Sequence, residues 1–342
     1  MAERYEKVAL SAFAEQVHSH QSKLVDVYER IDKISYEAGS YGVKLWITSD
    51  PIKANFNDVG FNKLCQRIGA PAGWLKSERC PVDLEQVVVD RLKTDVTEEH
   101  LFRLRQEQDS MVCRSVLTNK YMIYNHWDMW TDMQQILEMN SMANLNPMVW
   151  KPNISDSLDA WLLFDNVSAD PTDNNPQSYD GGGYGGLRPA VHFKNSEDGT
   201  GSVRISGGFF RSYCTNGVIF GFKETQRMRA IHMGQRNEMK AYIWNALAQA
   251  LNDSAKGVDL YIAATKTRVE QEVEDIVKRW SAKFSLGVET SELWTQALQQ
   301  ARPQSLADYV MATSDFAGSQ ERRLLTTTME EMAGAMLQSR RL

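Results

Sequence analysis

The sequence has no long apolar run, and this absence excludes a membrane-spanning helix of ordinary length. No stretch of its 342 residues approaches the roughly 18 consecutive apolar residues that such a helix needs. Residues 1–7 run directly into amphipathic sequence, without the apolar core of a signal peptide. We therefore expect a cytoplasmic protein with no membrane partner.

Cysteine is scarce and scattered, which excludes two kinds of site. The four cysteines, Cys65, Cys80, Cys113 and Cys214, form neither a disulfide framework nor a zinc motif, because no Cys-x-x-Cys or Cys/His pair at ligand spacing is present. Buried free thiols are expected. The glycine-rich run at 181–186 lacks the Gly-Lys-Ser/Thr ending of a phosphate-binding loop and predicts a flexible segment instead. No cofactor is expected.

Charge is distributed unevenly along the chain. The net charge is −6, which argues mildly against a general nucleic-acid coat. Between residues 188 and 240, however, nine basic residues face four acidic ones, giving this segment a charge of +5 and the remainder −11. The basic excess is local.

Hydrophobic periodicity predicts an α+β fold. Apolar residues at helical steps predict one long helix over 4–36, and Asn57 is a suitable N-cap for a second helix that Gly69 and Pro71 end. The next segments are predicted as helices at 83–92, 98–108 and 126–139, and strands at 111–117, 121–124, 146–150, 160–167, 190–194, 201–206, 209–214 and 218–222.

The expected architecture is a central twisted antiparallel sheet with helices packed on one face, a long N-terminal helix and a helical C-terminal third. Three units are predicted: an N-terminal helix at 1–40, an α+β core at 41–235 and a helical region at 236–342. The core includes a mobile loop at 168–187, which is rich in Gly, Asn and Asp.

Three sequence blocks carry a family resemblance. They are NDVGFNKLCQRIGAPAGWL at 57–75, RSVLTNKY at 114–121, and a series made of NSEDGTGS at 195–202, Arg211, CTNG at 214–217 and IHMG at 231–234. Together they resemble a family of phage- and plasmid-encoded proteins whose biochemical function is not settled. The resemblance covers about residues 55–235 and implies a protein that acts in an infected or plasmid-bearing bacterial host.

The segment from Asn195 to Gly201 is open to two interpretations. Asn, Asp and Gly tolerate left-handed backbone, so the segment predicts a tight turn between two strands. The alternative is that Glu197 is a functional carboxylate.

No catalytic or metal site is predicted. Cys214 and His232 could suggest a thiol nucleophile, but no third group that would orient them is evident, and core packing is preferred. His192 and His232 could join Cys214 at a metal, although their wide spacing makes this a weak signal. The prediction is a non-enzymatic protein.

The basic segment suggests nucleic-acid binding. Aromatic residues such as Phe209, Phe210 and Phe220 are interleaved with cations, as non-specific single-strand binding requires. An ordinary sheet with one solvated charged face is the alternative. The candidate contact residues are Arg188, Lys194, Arg204, Arg211, Lys223, Arg227 and Arg229.

We therefore expect a DNA-metabolism protein that binds single-stranded DNA, with strand annealing by a homo-oligomer during recombination as one form of that function. The alternative is a protein-binding accessory or host-interference factor, for which the acidic remainder of the chain would provide the surface that contacts a host protein.

Overall fold

A computed structural model describes residues 7–46, 51–139, 147–164, 187–211, 217–219, 229–230, 232, 234–320 and 323–339. Within them the chain forms two sheets and an extended set of helices, which confirms the α+β class. The structure differs from the expected single central sheet, because the first half of the chain builds a sheet of its own. None of the described helices combines the length and apolar character needed to cross a membrane.

Sheet A is antiparallel and has the strand order β1-β8-β9-β10-β11-β12, with β13 also paired to β11. Its strands are β1 (Lys7–Ala9), β8 (Pro147–Ile154), β9 (Ser157–Phe164), β10 (Leu187–Ser196), β11 (Val203–Arg211), β12 (Gly217–Ile219) and β13 (Arg229–Ala230). Hairpin connections join β8 to β9 and β10 to β11, so these long strands pair with their neighbours in the chain.

Sheet B has the order β2-β6-β7-β5-β4-β3, and its β5–β7 pair is parallel. Its strands are β2 (Leu24–Arg30), β3 (Ser35–Glu37), β4 (Gly42–Trp46), β5 (Pro51–Phe56), β6 (Glu99–Glu107) and β7 (Ser110–Thr118). Helices α2 (Asp58–Ile68), α3 (Ala72–Leu75) and α4 (Val82–Lys93) accompany it. Phe61 and Leu64 of α2 are buried with Leu104 and Cys113 of the sheet.

The remaining helices belong with sheet A. They are α1 (Leu10–Gln21), α5 (His126–Met139), α6 (Arg236–Thr265), α7 (Val273–Phe284), α8 (Val288–Ala301), α9 (Leu306–Ser319) and α10 (Arg323–Ser339). Phe13 of α1 packs edge-on against Trp130 of α5, with ring centroids 4.7 Å apart, and both contact Phe193 of β10. Helices α6–α10 form a further core around Trp294 and Tyr261.

The long N-terminal helix predicted for 4–36 is wrong in its length. Helix α1 ends at Gln21, and β2 follows from Leu24 as an edge strand of sheet B. The segment predicted as a helix at 98–108 is β6, and 121–124 is not a strand. The glycine-rich loop falls outside the described residues except for Leu187. The division of the chain into three domains stays a prediction.

Several predicted elements are confirmed. Helix α5 covers the predicted residues, and the C-terminal third is helical. The side chain of Asn57 accepts a hydrogen bond from the Gly60 N–H at 2.7 Å, which is the N-cap expected for α2. Gly69 ends that helix in the left-handed conformation, with φ of 71°.

Candidate functional site

A buried polar cluster lies where the two sheets meet. Sheet B supplies Arg103 from β6 and Arg114 from β7, and the turn after β10 supplies Glu197. Helix α5 adds His126 at its first position, and α1 adds His20 near its end. Buried charges are costly unless they are paired and hydrogen-bonded, so the stability of this cluster depends on the contacts among its members.

Glu197 is the centre of the cluster. Its Oε1 accepts the backbone N–H of His126 at 2.7 Å, while Oε2 lies 2.8 Å from Arg114 Nη1 and 3.1 Å from His20 Nε2. Burial raises the pKa of the Glu197 carboxyl. The hydrogen bond with His20 and the charge of the Arg114 guanidinium outweigh that effect and hold the pKa well below its usual value. The side chain is therefore a buried carboxylate anion.

Arg103 connects the turn that contains Glu197 to sheet B. Its Nε and Nη2 donate to the two oxygens of Asp26 at 2.9 and 3.1 Å, which is the bidentate geometry that favours arginine. Its Nη1 donates to the carbonyl oxygen of Glu197 at 2.7 Å, and Nη2 also donates to Asn125 Oδ1. One buried guanidinium thus joins β2, the β10–β11 turn and the start of α5.

Arg114 is fully buried and incompletely paired. Besides Glu197, its Nη1 lies 3.2 Å from Asp156, which Arg105 also contacts at 2.7 Å. In the part of the chain that the structure describes, Nε and Nη2 of Arg114 have no hydrogen-bond partner. Such a group normally has a water or ligand beside it.

The histidines of the cluster have assignable hydrogen bonds. His126 Nε2 lies 3.0 Å from the carbonyl oxygen of Ser155, so this nitrogen carries the proton and Nδ1 carries the lone pair. Asn195 Nδ2 lies 3.1 Å from that Nδ1, and its Oδ1 lies 3.0 Å from His232 Nε2. Burial lowers the pKa of both His126 and His232 to about 4, so both rings are neutral at pH 7.

The segments that carry the resemblance meet at this cluster. Ser115 Oγ donates to the carbonyl oxygen of Asp198 at 2.6 Å, and Lys63 Nζ donates to the carbonyl oxygen of Gly199 at 3.4 Å. The rings of Tyr121 and His232 stack, with centroids 4.9 Å apart. The predicted turn is confirmed, since β10 and β11 pair on either side of it and Gly199 has φ of 72°.

A surface groove of about 640 Å³ reaches the cluster at His20. Its walls come from α1 and from Pro152 and Ile154 of β8. The side chain of His20 is 9% exposed, whereas Glu197 and His126 are fully buried. Of these three residues, His20 is therefore the one that solvent can reach.

The predicted basic residues are partly brought together. Lys194 of β10 is directly opposite Arg204 of β11, which is directly opposite Arg229 of β13. Lys194 is ion-paired with Asp159 at 2.7 Å, while Arg204 is exposed. Arg188 is in register with Phe210, and Arg211 with Leu187. Lys223 and Arg227 lie outside the described residues.

Other candidates from the sequence occupy separate places. His192 Nε2 lies 3.0 Å from Asp159, and His232 lies instead at Asn195, so these two histidines do not share a site. Cys214 lies outside the described residues. Burial raises the pKa of Cys65 to about 11, and it also raises that of Cys113, so neither buried thiol is a nucleophile at neutral pH. Phe209 is fully buried against Tyr261 and cannot stack on a base.

Four residues of the cluster, His20, Arg103, Arg114 and His126, were not predicted from the sequence as site residues. Their partner Glu197 is 177 residues from His20, 94 from Arg103, 83 from Arg114 and 71 from His126, so no local spacing shows the group. The available signal was the presence of Arg114 and Glu197 in two of the resemblance blocks.

A family model described as a domain of unknown function, DUF932, matches residues 115–330, well over half of the chain. The chain belongs to the DUF932 family. No curated protein and no solved structure matches the chain. The DUF932 match begins within β7, one residue after Arg114. The other five strands of sheet B therefore lie outside the match, while His126 and Glu197 lie inside it.

Proposed function

We propose that this protein binds single-stranded DNA as a DNA-metabolism factor of phages or plasmids. The observation that carries the proposal is the cation row, which we define by backbone register: Lys194, Arg204 and Arg229 are directly opposite one another on three adjacent strands of sheet A. Neighbouring strands lie about 4.8 Å apart, so the row spans about 10 Å across the strands. A row of cations contacts phosphates without reading sequence.

Arg204 is the member of the row through which the proposal is best tested. Its side chain is exposed. The ammonium group of Lys194, in contrast, is ion-paired with Asp159 and donates a hydrogen bond to Thr327 Oγ1 at 3.3 Å. Glu330 and Glu331 of α10 lie on the same side of the sheet, so the surface around Lys194 is partly neutralised. Phosphate contact is therefore assigned first to Arg204.

The charge pattern supports the same assignment. A segment of +5 within a chain of −6 concentrates positive charge in the part of the sequence that contains Lys194, Arg204 and Arg229. Such a segment attracts a polyanion, whereas the acidic remainder of the chain repels it. Binding through such a small cationic surface is weak for one chain. We therefore propose a homo-oligomer, in which several rows contact one strand and complementary strands are annealed.

The experiment is fluorescence anisotropy with a labelled single strand and its matching duplex, at low and at physiological salt. Preference for the single strand, with affinity that falls as salt rises, is the expected result. Light scattering of the same samples tests the oligomer. Absence of binding at low salt, or binding that salt does not change, would contradict the proposal.

A protein-binding accessory or host-interference factor is the second candidate, and a specific observation favours it. Leu84 and Val87 lie three residues apart on α4 and are 42% and 62% exposed, with Val82 exposed nearby. Exposed apolar side chains grouped on one helix are typical of protein contacts. Retention of a host protein by the chain, together with no retention of DNA, would favour this function.

A further inference from the structure

We propose that His20, His126 and Glu197 form a binding site for one divalent transition-metal ion, with Zn²⁺ as the expected occupant. Each residue offers one ligand atom, and the three atoms lie within 4.8 Å of one another. Two imidazoles and one carboxylate are a donor set that Zn²⁺ and related ions prefer, whereas Mg²⁺ and Ca²⁺ prefer oxygen alone. This site does not depend on DNA binding.

Two distances at the site are close to those between neighbouring ligands of a metal ion. Two ligand atoms that each lie about 2.0–2.1 Å from a tetrahedral zinc ion are about 3.3 Å apart. His20 Nε2 lies 3.1 Å from Glu197 Oε2, and His126 Nδ1 lies 3.4 Å from Glu197 Oε1, so the two histidines approach different oxygens of the carboxylate. The two histidine rings are stacked, with centroids 5.2 Å apart and planes at 23°.

The hydrogen bonds around His126 resemble those around a metal ligand. Its Nε2–H donates to the carbonyl oxygen of Ser155, which fixes the tautomer and leaves the lone pair on Nδ1, 3.4 Å from Glu197 Oε1. A ligand histidine generally donates its other N–H to a carbonyl or carboxylate in this way. Asn195 Nδ2 lies 3.1 Å from the same Nδ1 and donates to it, so a bound metal ion would take the place of this hydrogen bond.

The charges around the site are balanced by linked ion pairs. Arg103, Arg105 and Arg114 are paired with Asp26, Asp156 and Glu197, while Glu107, which also contacts Arg105, is 46% exposed. A metal ion is therefore supported by the ligand atoms and their distances and not by an excess of negative charge. Arg114 does not exclude a metal, because Asp156 shares its charge.

The site has an entry path and an open coordination position. The groove between α1 and β8 ends at His20, so an ion can reach the three ligands and keep a water on that side. The ligands come from α1, from the start of α5 and from the β10–β11 turn. A bound ion would join three segments that are far apart in sequence, so its main expected effect is on stability.

The test uses the full-length chain without a histidine tag, loaded with Zn²⁺ and dialysed, and its metal content measured by plasma mass spectrometry. The expected result is about one zinc per chain, the stoichiometry of a single site with three protein ligands. His20→Gln retains a donor to Glu197 but removes a ligand, and should weaken zinc affinity by at least about tenfold. His18→Gln, two residues earlier on the exposed side of α1, is the matched control and should bind as the wild type does.

Two further measurements need no variant. Loading with Co²⁺ should give the visible absorption of a four-coordinate site, and EDTA should lower the melting temperature of the wild-type chain. Equal zinc binding by wild type and His20→Gln would overturn the proposal. So would a wild-type chain that binds no metal after loading. Either result would leave the DNA-binding proposal unaffected.

Discussion

Arg114 donates from Nη1 to Glu197 Oε2 over 2.8 Å, and both side chains are fully buried. The pair joins β7 of sheet B to the β10–β11 turn of sheet A across 83 residues of sequence. Because each ion has lost its water, neither can lose the other without a large cost. This contact therefore links the stability of the two sheets.

Removing the charge of Glu197 should destabilise the fold strongly. In Glu197→Gln the guanidinium of Arg114 keeps only Asp156, so we expect a loss of about 3–5 kcal/mol in the free energy of unfolding. Urea denaturation in EDTA measures it, since metal then contributes nothing. Glu270→Gln, an exposed glutamate, is the control and should stay within about 0.5 kcal/mol of wild type. A loss below about 1 kcal/mol for Glu197→Gln would contradict the importance of the pair.

Much of the fold could be predicted because local signals agree with tertiary structure. Helix α5 has apolar residues at helical spacing, and α2 has both a capping Asn57 and a terminating Gly69. The N-terminal error has a physical cause. Leu24, Val27 and Ile31 fit a helical period, but β2 is an edge strand whose pairing with β6 overrides that pattern.

The candidate site could not be predicted because its charges are buried. The segment at 98–108 was predicted as a helix, whereas it forms β6, which buries Arg103 completely in ion pairs. Burial of a charge depends on partners such as Asp26 and Glu197, which come from distant parts of the chain. The turn around Glu197 was predictable from its Asn and Gly residues, but the neighbours of its carboxylate were not.

A methyl group at Gly207 should disrupt the contact between β11 and α6. A Cβ there would lie 2.2 Å from the carbonyl oxygen of Ala250 and 3.0 Å from the backbone nitrogen of Ser254. Backbone atoms of a helix cannot move aside cheaply, so Gly207→Ala should cost about 2–4 kcal/mol. Thermal unfolding measures this, with Gly73→Ala as control because a Cβ added there would meet no described atom within 4 Å. Similar melting temperatures for the two variants would contradict the close packing.

Glu331 should make stability fall as pH rises through neutrality. Burial raises the pKa of this carboxyl to about 7, with Lys194 and Arg204 opposing the rise and Asp159 and Glu330 adding to it. His192 also lies in this group, beside Asp159. A carboxyl whose pKa is higher in the folded than in the unfolded state favours folding when protonated, so its contribution is complete below about pH 4.5 and is lost above about pH 7.

Between pH 6 and pH 8 the wild type should therefore lose about 1 kcal/mol more stability than Glu331→Gln, whose side chain stays neutral. Urea denaturation at pH 6, 7 and 8 gives the free energy of unfolding of each protein as a function of pH. The control Glu270→Gln should show the same pH dependence as the wild type. If Glu331→Gln had the wild-type slope, the titrating group would lie elsewhere.

Arg204 should contribute to DNA affinity through its charge and should not distinguish one DNA sequence from another. If its guanidinium contacts one phosphate of a single strand, Arg204→Gln should weaken binding of all sequences about equally and lower the magnitude of the salt slope by about 0.7. Arg91→Gln is the control, because it changes the net charge of the chain by the same amount. Arg91 is exposed on α4, which packs with sheet B and does not belong to the cation row. Anisotropy titrations of both variants at several salt concentrations compare them. Equal losses in the two variants would mean that only overall charge matters, and the cation row would then have no specific role.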